Sequence, residues 1–190
     1  MQNPILPYLR QLKISSLERK IPNISEQNAL FLKHLIKEKR PNNILEIGTA
    51  NGYSTLQFAS VAPDTTITTI EYAWNAHIEA VEHFSRCKCK NIHALWWDAK
   101  SVIPTLCDGY FDFVFIDAMK REYLDYLLLS LPKMTEDALI VIDDVEKFRD
   151  KMENLYTFLD EKCIPYTLEK TDTDDSIMIL EKNHIIGALA

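Results

Sequence analysis

The chain has 190 residues, of which 47% are hydrophobic and 26% charged, and its formal net charge is −7. This length is typical of one domain with a sizeable core, and the composition excludes an intrinsically disordered chain. It contains no run approaching the ~20 apolar residues that span a bilayer, no secretory signal pattern at its start, and too few cysteines for a disulfide scaffold. We therefore expect a single cytoplasmic domain over residues 1–190 that does not contact membranes.

Helices and strands are predicted to alternate along most of the chain. Residues 1–23 carry three prolines and indicate an N-terminal arm with a short helix, and Ser25 can cap a helix that runs to about residue 39. Further helices are predicted at residues 53–60, 74–86, 122–131 and 147–162. Strands are predicted at residues 43–47, 66–70, 92–96, 111–116, 138–142, 166–169 and 176–180.

This alternation predicts an α/β fold built from right-handed βαβ units, with a seven-stranded, mostly parallel sheet and helices on both faces. The last two predicted strands have no helix between them. We therefore expect a single antiparallel strand at the edge of the sheet.

The turn after the first predicted strand has the sequence EIGTANGYS over residues 46–54 and holds two of the four glycines, Gly48 and Gly52. Glycine lets a ligand approach the backbone closely, and the following helix directs free N–H groups to the same place. The spacing lacks the glycines of a dinucleotide fingerprint and the lysine of a P-loop. The remaining pattern, E-x-G-x-x-x-G, has an acid that suits a cationic ligand such as the sulfonium and amino groups of S-adenosylmethionine. The alternative is a tight turn without a ligand.

Acidic residues also end the second and third predicted strands. Glu71 follows the glycine turn by about 20 residues, where an acid hydrogen-bonds ribose hydroxyls in such folds. Asp98 is placed to accept a hydrogen bond from an adenine amino group, with the N–H of Ala99 beside it. Trp96 or Trp97 could face the adenine ring, although a core role is the alternative for at least one of them.

Three aspartates follow the next two strands, Asp117 after the fourth and Asp143 and Asp144 after the fifth. Adjacent parallel strands lie ~4.8 Å apart, so these carboxylates are expected to meet above the sheet and to repel one another. A divalent cation that prefers oxygen ligands, such as Mg²⁺, would relieve the repulsion. The alternative is that the aspartates only cap the following helices.

Four segments, ILEIGTANGYST, ITTIEY, FDFVFIDAMKREY and LIVIDDV, resemble the cation-dependent O-methyltransferases. This family contains the catechol and caffeoyl-coenzyme A O-methyltransferases and their bacterial relatives. The chain is most similar to the bacterial branch that includes methyltransferases of 5-hydroxyuridine in tRNA, from about residue 22 to residue 181. The resemblance implies a Rossmann-like class I methyltransferase fold, S-adenosylmethionine as cofactor, and methyl transfer to a hydroxyl group assisted by a divalent cation, most often Mg²⁺.

Carried over by position, the resemblance also implies which residues bind the cofactor. The methionine part would be held by Glu46, Gly48 and Ser54, the ribose by Glu71, and the adenine by Asp98 with Ala99. The full set of implied cofactor-binding residues is Glu46, Gly48, Thr49, Gly52, Tyr53, Ser54, Glu71, Tyr72, Asp98, Ala99 and Asp117.

The resemblance assigns the metal to Asp117, Asp143 and Asp144, and catalysis to Asp117 and Lys120. The family usually has Asn where this chain has Asp144, which leaves open whether Asp144 is a ligand. The metal would bind two neighbouring acceptor oxygens and lower the pKa of the one that reacts. Lys120 would take that proton or stabilise the oxyanion if the site depresses its own pKa, and the alternative is an ordinary surface lysine.

Two acceptors remain open, a small catechol-like or phenolic compound and 5-hydroxyuridine in tRNA. An RNA acceptor would need a basic rim around the cleft, and the net charge of −7 argues mildly against one. Residues that could supply the rim are Lys120, Arg121, Lys147, Arg149 and Lys151. A different class of function is a sensor that binds S-adenosylmethionine without methyl transfer. The N-terminal arm is a candidate contact for a homodimer.

Overall fold

The computed structural model describes residues 5–173 and 175–189, so the first four residues of the predicted N-terminal arm lie outside the described part of the chain. Within these residues, seven strands form one sheet: β1 (Asn43–Ile47), β2 (Thr66–Glu71), β3 (Ile92–Trp96), β4 (Phe111–Ile116), β5 (Met134–Ile142), β6 (Thr167–Glu169) and β7 (Ile177–Glu181). The helices are α1 (Ile5–Glu18), α2 (Glu26–Lys39), α3 (Tyr53–Val61), α4 (Trp74–Arg86), α5 (Ala99–Val102), α6 (Tyr123–Ser130), α7 (Glu153–Glu161) and α8 (Lys182–Leu189).

The strand order is β3-β2-β1-β4-β5-β7-β6, and the strands β1 to β5 all run parallel to one another. β7 is antiparallel to both β5 and β6. The predicted seven-stranded, mostly parallel sheet is therefore confirmed, but the prediction that the antiparallel strand lies at the edge is wrong. β7 carries the more apolar sequence, with Ile177, Met178 and Leu180 buried, so it lies inside the sheet and leaves the short β6 at the edge.

Helices cover both faces of the sheet, as predicted. Along β4, Phe113 and Phe115 belong to one core layer, whereas Val114 and Ile116 belong to the other, because successive side chains of a strand point to opposite faces. The first layer is completed by buried residues of α1 to α4, and the second by residues of α5 to α8. Within the described ranges, no helix is both long and apolar enough to cross a membrane.

The predicted boundaries fail mainly around β5 and α7. β5 begins at Met134 rather than at residue 138. The helix predicted from residue 147 begins only at Glu153, after a short 3₁₀ turn at Arg149–Lys151. Met152, between the two, is fully buried and has a non-helical φ of −126°. Bringing this side chain into the core interrupts the helix. The short α5 and the terminal α8 were not predicted.

Candidate active site

The register of the sheet brings the carboxyl ends of four strands to one level. Ile47 of β1 pairs with Ile70 of β2 and Ile116 of β4, and Ile116 pairs with Ile142 of β5. The residues that follow are therefore neighbours above the sheet: Gly48, Glu71, Asp117 and Asp143.

Both glycines of the turn after β1 are required by close packing. Gly48 has φ of 100°, and a Cβ there would lie 2.0 Å from the carbonyl oxygen of Asp117. Gly52 has φ of 83°, and a Cβ there would lie 2.5 Å from the ring of Phe84. Gly48 thus allows the turn to lie against the end of β4, whereas Gly52 allows α3 to pack against α4.

Glu46 is fully buried beneath this turn. Its carboxylate accepts hydrogen bonds from the hydroxyls of Ser54 (2.5 Å), Thr69 (2.6 Å) and Thr55. Burial raises the pKa of Glu46 to about 7, although the three hydroxyls act in the opposite direction. The contact of Glu46 with the cofactor stays a prediction. In this arrangement its carboxylate faces hydroxyls that fix the turn, and Glu46 does not line the cleft above.

A cleft of about 590 Å³ opens above β1, β2 and β4. Its lining consists of Ile47, Gly48, Ala50, Ile70, Glu71, Tyr72, Asp98, Ala99, Lys100, Asp117, Ala118, Met119, Glu122 and Tyr126. We call this cavity the larger cleft. It brings together six of the predicted cofactor-binding residues: Gly48, Glu71, Tyr72, Asp98, Ala99 and Asp117.

Two carboxylates of the larger cleft are held by the backbone. Glu71 accepts hydrogen bonds from the N–H groups of Ala50 and Ala73, both at 2.8 Å. Asp98 caps α5 through the N–H of Lys100, at 3.2 Å. Both carboxylates are therefore fixed in position with capacity left for a further hydrogen bond, since each ionised carboxylate has about four acceptor sites.

Four other residues that the sequence analysis linked to the cofactor lie outside the lining of this cleft. Gly52 and Tyr53 do not line it, since Tyr53 lies in a separate groove between α1 and α2. Trp96 and Trp97 pack edge to face against each other and remain largely exposed outside the lining of the larger cleft. Their sequence position beside Asp98 suggested the ring contact, but the edge position of β3 turns both side chains toward solvent.

The floor of the larger cleft includes an ion pair that the sequence analysis missed. Lys100 Nζ lies 2.7 Å from Glu122, and the Tyr126 hydroxyl donates to the other oxygen of Glu122 at 2.6 Å. Lys100 follows Asp98 and Glu122 follows Asp117 closely in sequence. Charged residues just beyond two strand ends were the signal that could have identified them.

A smaller pocket of about 300 Å³ adjoins the larger cleft and shares Gly48, Ala50, Asp117 and Ala118 with it. The rest of its lining is Pro22, Asn23, Ile24, Thr49, Ser54, Lys120, Asp144 and Phe148. The predicted cofactor-binding residues Thr49 and Ser54 are thus placed in the smaller pocket. The contributions of Pro22, Ile24 and Phe148, which form apolar walls, were not predicted.

The Lys120 side chain lies in the smaller pocket with three oxygen partners. Its Nζ is 2.8 Å from Asp117 Oδ1, 2.9 Å from Asp144 Oδ2 and 2.6 Å from the hydroxyl of Tyr123. Burial alone would lower the pKa of Lys120, but the two carboxylates outweigh it and raise that pKa above its ordinary value. This arrangement therefore favours the ammonium form of Lys120 and does not supply the depressed pKa that a neutral base would need.

Asp143 is buried and does not belong to the ion-pair group formed by Lys120, Asp117 and Asp144. Its Oδ1 accepts a hydrogen bond from the Asn28 side-chain amide at 2.8 Å, and the Asn28 side-chain oxygen Oδ1 accepts one from the Thr171 hydroxyl. Burial, with the neighbouring Asp117 and Asp144, raises the pKa of Asp143 well above its ordinary value. Asn28 was not identified from the sequence because it lies 115 residues from its partner.

The three aspartates predicted to bind a metal do not converge on one point. Lys120 stands between Asp117 and Asp144, while Asp143 is engaged by Asn28. Across residues 5–173 and 175–189, no group of three or more His, Cys, Asp or Glu side chains is arranged to hold a metal ion. As placed here, these residues fit an ammonium group and do not fit a divalent cation.

Solved structures show the same fold. An SAH-bound methyltransferase of Podospora anserina superposes with a TM-score of 0.82 at 18% identity, over 95% of this chain and 88% of that one. An O-methyltransferase of Streptomyces achromogenes in complex with SAM superposes with a TM-score of 0.77 at 21% identity, over 95% and 91% of the two chains. The predicted class I methyltransferase fold is thereby confirmed.

Sequence comparison adds the family. A catechol O-methyltransferase of Mycobacterium tuberculosis is 32% identical over 124 residues, which are 64% of this chain and 56% of that protein. One of Niastella koreensis is 31% identical over 128 residues, 65% and 58% of the two. The chain thus spans less than two thirds of the length of these curated relatives. The sequence profile of the O-methyltransferase family matches residues 2–153. The chain therefore belongs to the O-methyltransferase family.

Proposed function

We propose that this protein transfers the methyl group of S-adenosylmethionine to a hydroxyl oxygen of an aromatic acceptor. The observation that carries this proposal is the junction of the two cavities at Gly48 and Asp117. One cavity offers fixed carboxylates to a nucleoside, and the other offers an apolar pocket with a cation. A methyl group at the junction would be within reach of an acceptor in the smaller pocket.

The larger cleft suits the cofactor along its length. The Glu71 carboxylate, held by two backbone N–H groups, is placed for ribose hydroxyls, as acids at this strand end are in related α/β folds. Asp98 and Ala99 lie beyond it for the adenine. The methionine end would then lie toward Gly48 and Asp117, where the Asp117 carboxylate attracts its cationic groups.

The smaller pocket suits a single aromatic ring. Its volume of about 300 Å³ is at the lower end of the range of small-molecule sites, and Pro22, Ile24 and Phe148 supply apolar contacts. In the reaction, the acceptor oxygen forms a bond to the methyl carbon as the bond from sulfur to that carbon breaks. The products are the methyl ether, S-adenosylhomocysteine and a proton.

Two side chains of the pocket are assigned roles in this step. When the acceptor binds, the Lys120 ammonium would exchange one of its three oxygen partners for the acceptor oxygen and stabilise the negative charge that develops there, as fixed cations do in enzyme sites. The hydroxyl proton passes to the carboxylate of Asp144, which lines the same pocket. Alignment of oxygen and methyl carbon supplies much of the rate, up to ~7–11 kcal/mol of the barrier. Because the aspartates do not fit a divalent cation as placed, no step is assigned to one.

A base in tRNA is a second candidate acceptor, and one observation favours it. Two exposed ammonium groups lie near the ring of Phe148 at the pocket, Lys147 at 5.7 Å and Lys151 at 4.7 Å from its centroid. Such a rim is suited to phosphate groups. The base of 5-hydroxyuridine also has a single ring, so the pocket size does not discriminate between the two acceptors.

The test has two stages. Calorimetric titration of S-adenosylmethionine into the protein should give micromolar binding, and its absence would remove the proposed function. Methyl transfer from labelled cofactor is then measured with a set of catechols and with tRNA that contains 5-hydroxyuridine. Binding without transfer to any acceptor would instead favour a sensor that binds the cofactor.

A further inference from the structure

The Lys120 ammonium has one oxygen partner for each of its three hydrogens. The partners are Asp117 Oδ1, Asp144 Oδ2 and the Tyr123 hydroxyl, at 2.6–2.9 Å. A lysine ammonium has three donors and no acceptor, so this set uses its whole capacity. The side chain is only 14% exposed, which leaves little water to replace a lost partner. Three oxygen atoms, two of them from carboxylates, therefore hold the Lys120 ammonium in a site suited to a cation.

Two carboxylates neutralise this cation, and Asp144 is the one that completes the site. Its backbone has φ of 58°, in the left-handed region that Asp tolerates better than most residues. In this conformation its Oδ2 lies 2.9 Å from Lys120 Nζ. An amide at position 144 would leave the ammonium with a single carboxylate partner.

The third aspartate has partners of its own outside the Lys120 group. Asp143 is buried, its Oδ1 is bonded to Asn28, and its carbonyl oxygen accepts a hydrogen bond from Tyr123 at 3.2 Å. A Mg²⁺ ion needs near-octahedral oxygen ligands at ~2.0–2.1 Å. To take Asp117 Oδ1 and Asp144 Oδ2 as ligands it would have to displace the ammonium, which would leave a charged group without its partners in a mostly buried position.

We propose that the Lys120 ammonium is the resident cation of this site, in place of a divalent metal, and that methyl transfer proceeds without an added metal ion. The part about methyl transfer rests on the proposed function. The part about cation occupancy does not, because it concerns only Lys120 and its two carboxylate partners.

The experiment measures Mn²⁺ binding to the full chain by the electron paramagnetic resonance signal of free Mn²⁺, without cofactor or acceptor. The wild-type protein should bind no more Mn²⁺ than a variant with Asp117→Asn and Asp144→Asn. The Lys120→Met variant keeps the length of the side chain but frees both carboxylates. It should bind Mn²⁺ at least ~10-fold more tightly than wild type, as expected when one positive charge next to two carboxylates is removed.

The matched control is Lys39→Met, which removes an ammonium paired with Asp137 near the start of β5 and should leave Mn²⁺ binding unchanged. One Mn²⁺ bound tightly per wild-type chain would overturn the inference, even if Lys120→Met did not fold. Methyl transfer, measured in parallel with a chelator and with Mg²⁺, should be equal in the two conditions. Transfer that requires Mg²⁺ would overturn the inference and leave the proposed function intact. Absence of transfer would count against the proposed function, while the Mn²⁺ result would still decide cation occupancy.

Discussion

The backbone of Gly48 lies directly against that of Asp117, so that a Cβ at Gly48 would stand 2.0 Å from the Asp117 carbonyl oxygen. This contact joins the glycine turn to the end of β4, where the two cavities meet.

We expect Gly48→Ala to separate these segments and to abolish detectable cofactor binding. The φ of 100° adds backbone strain on the order of 1–3 kcal/mol. Calorimetry and thermal unfolding would measure both effects. Gly109→Ala is the control, because Gly109 also has positive φ but its Cβ would meet no atom within 4 Å. It should lose some stability and retain cofactor affinity, and equal affinities in the two variants would contradict the close approach at Gly48.

Glu71→Gln is expected to weaken S-adenosylmethionine binding by roughly 10–100-fold, which corresponds to the loss of a charged hydrogen bond worth ~1.5–3 kcal/mol. The amide retains the size of the side chain but cannot accept from Ala50, Ala73 and a ribose hydroxyl as well as a carboxylate does. Titration calorimetry measures the change. Glu79→Gln serves as control, since Glu79 pairs with Arg19 and does not line the larger cleft. Similar losses in the two variants would remove the assignment of Glu71 to the ribose.

The buried Glu46 predicts a pH dependence of stability. Its pKa is about 7 in the folded protein against 4.5 as the ordinary value, so between these values the folded state binds more protons than the unfolded state. The stabilisation is complete below about pH 4.5 and is lost as the pH rises to about 7, by roughly 3 kcal/mol.

Urea unfolding of wild type and Glu46→Gln at pH 5, 6, 7 and 8 isolates this contribution. The free energy of unfolding of the variant should fall less steeply between pH 5 and 7 than that of wild type. Parallel curves would show that Glu46 does not titrate in this window.

The lysines near Phe148 distinguish the two acceptors. Replacing Lys147 and Lys151 by alanine should weaken tRNA binding and reduce the slope of log affinity against log salt by ~2, because each phosphate contact contributes about 0.9. Transfer to a small catechol should change little. The control replaces Lys88 and Lys90, which are also exposed but lie after α4. If both double variants bind tRNA with the same affinity and salt dependence, Lys147 and Lys151 do not contact phosphate groups.

Local sequence patterns predicted the strand ends well. Apolar runs that end in Gly48, Glu71, Asp98 and Asp117 place those residues at the carboxyl edge of the sheet, because parallel strands in such a fold all end on one side. The structure shows all four in the larger cleft.

Contacts between segments that are distant in the sequence were harder to predict. Tyr53 follows Gly52 directly, yet its ring faces the groove between α1 and α2, since the first turn of α3 presents different residues to different neighbours. Likewise, the charge state of Lys120 depends on Asp144, which follows another strand. Sequence spacing placed the lysine near the site but did not reveal that its partners occupy all three of its donors.

The bond between Asn28 and Asp143 yields the last prediction. Asn28→Ala removes the donor to Asp143 and the acceptor of the Thr171 hydroxyl, and should lower the free energy of unfolding by about 1–3 kcal/mol through buried polar groups left unpaired. A double-mutant cycle with Asp143→Asn should show a coupling energy above ~0.5 kcal/mol, because the two side chains are in contact. The matched cycle pairs Asn28→Ala with Asp112→Asn, since Asp112 accepts from Asn42 and Asn43 at the opposite end of the sheet. Additivity is expected there, and additivity in the first cycle as well would mean that Asn28 does not hold Asp143 in place.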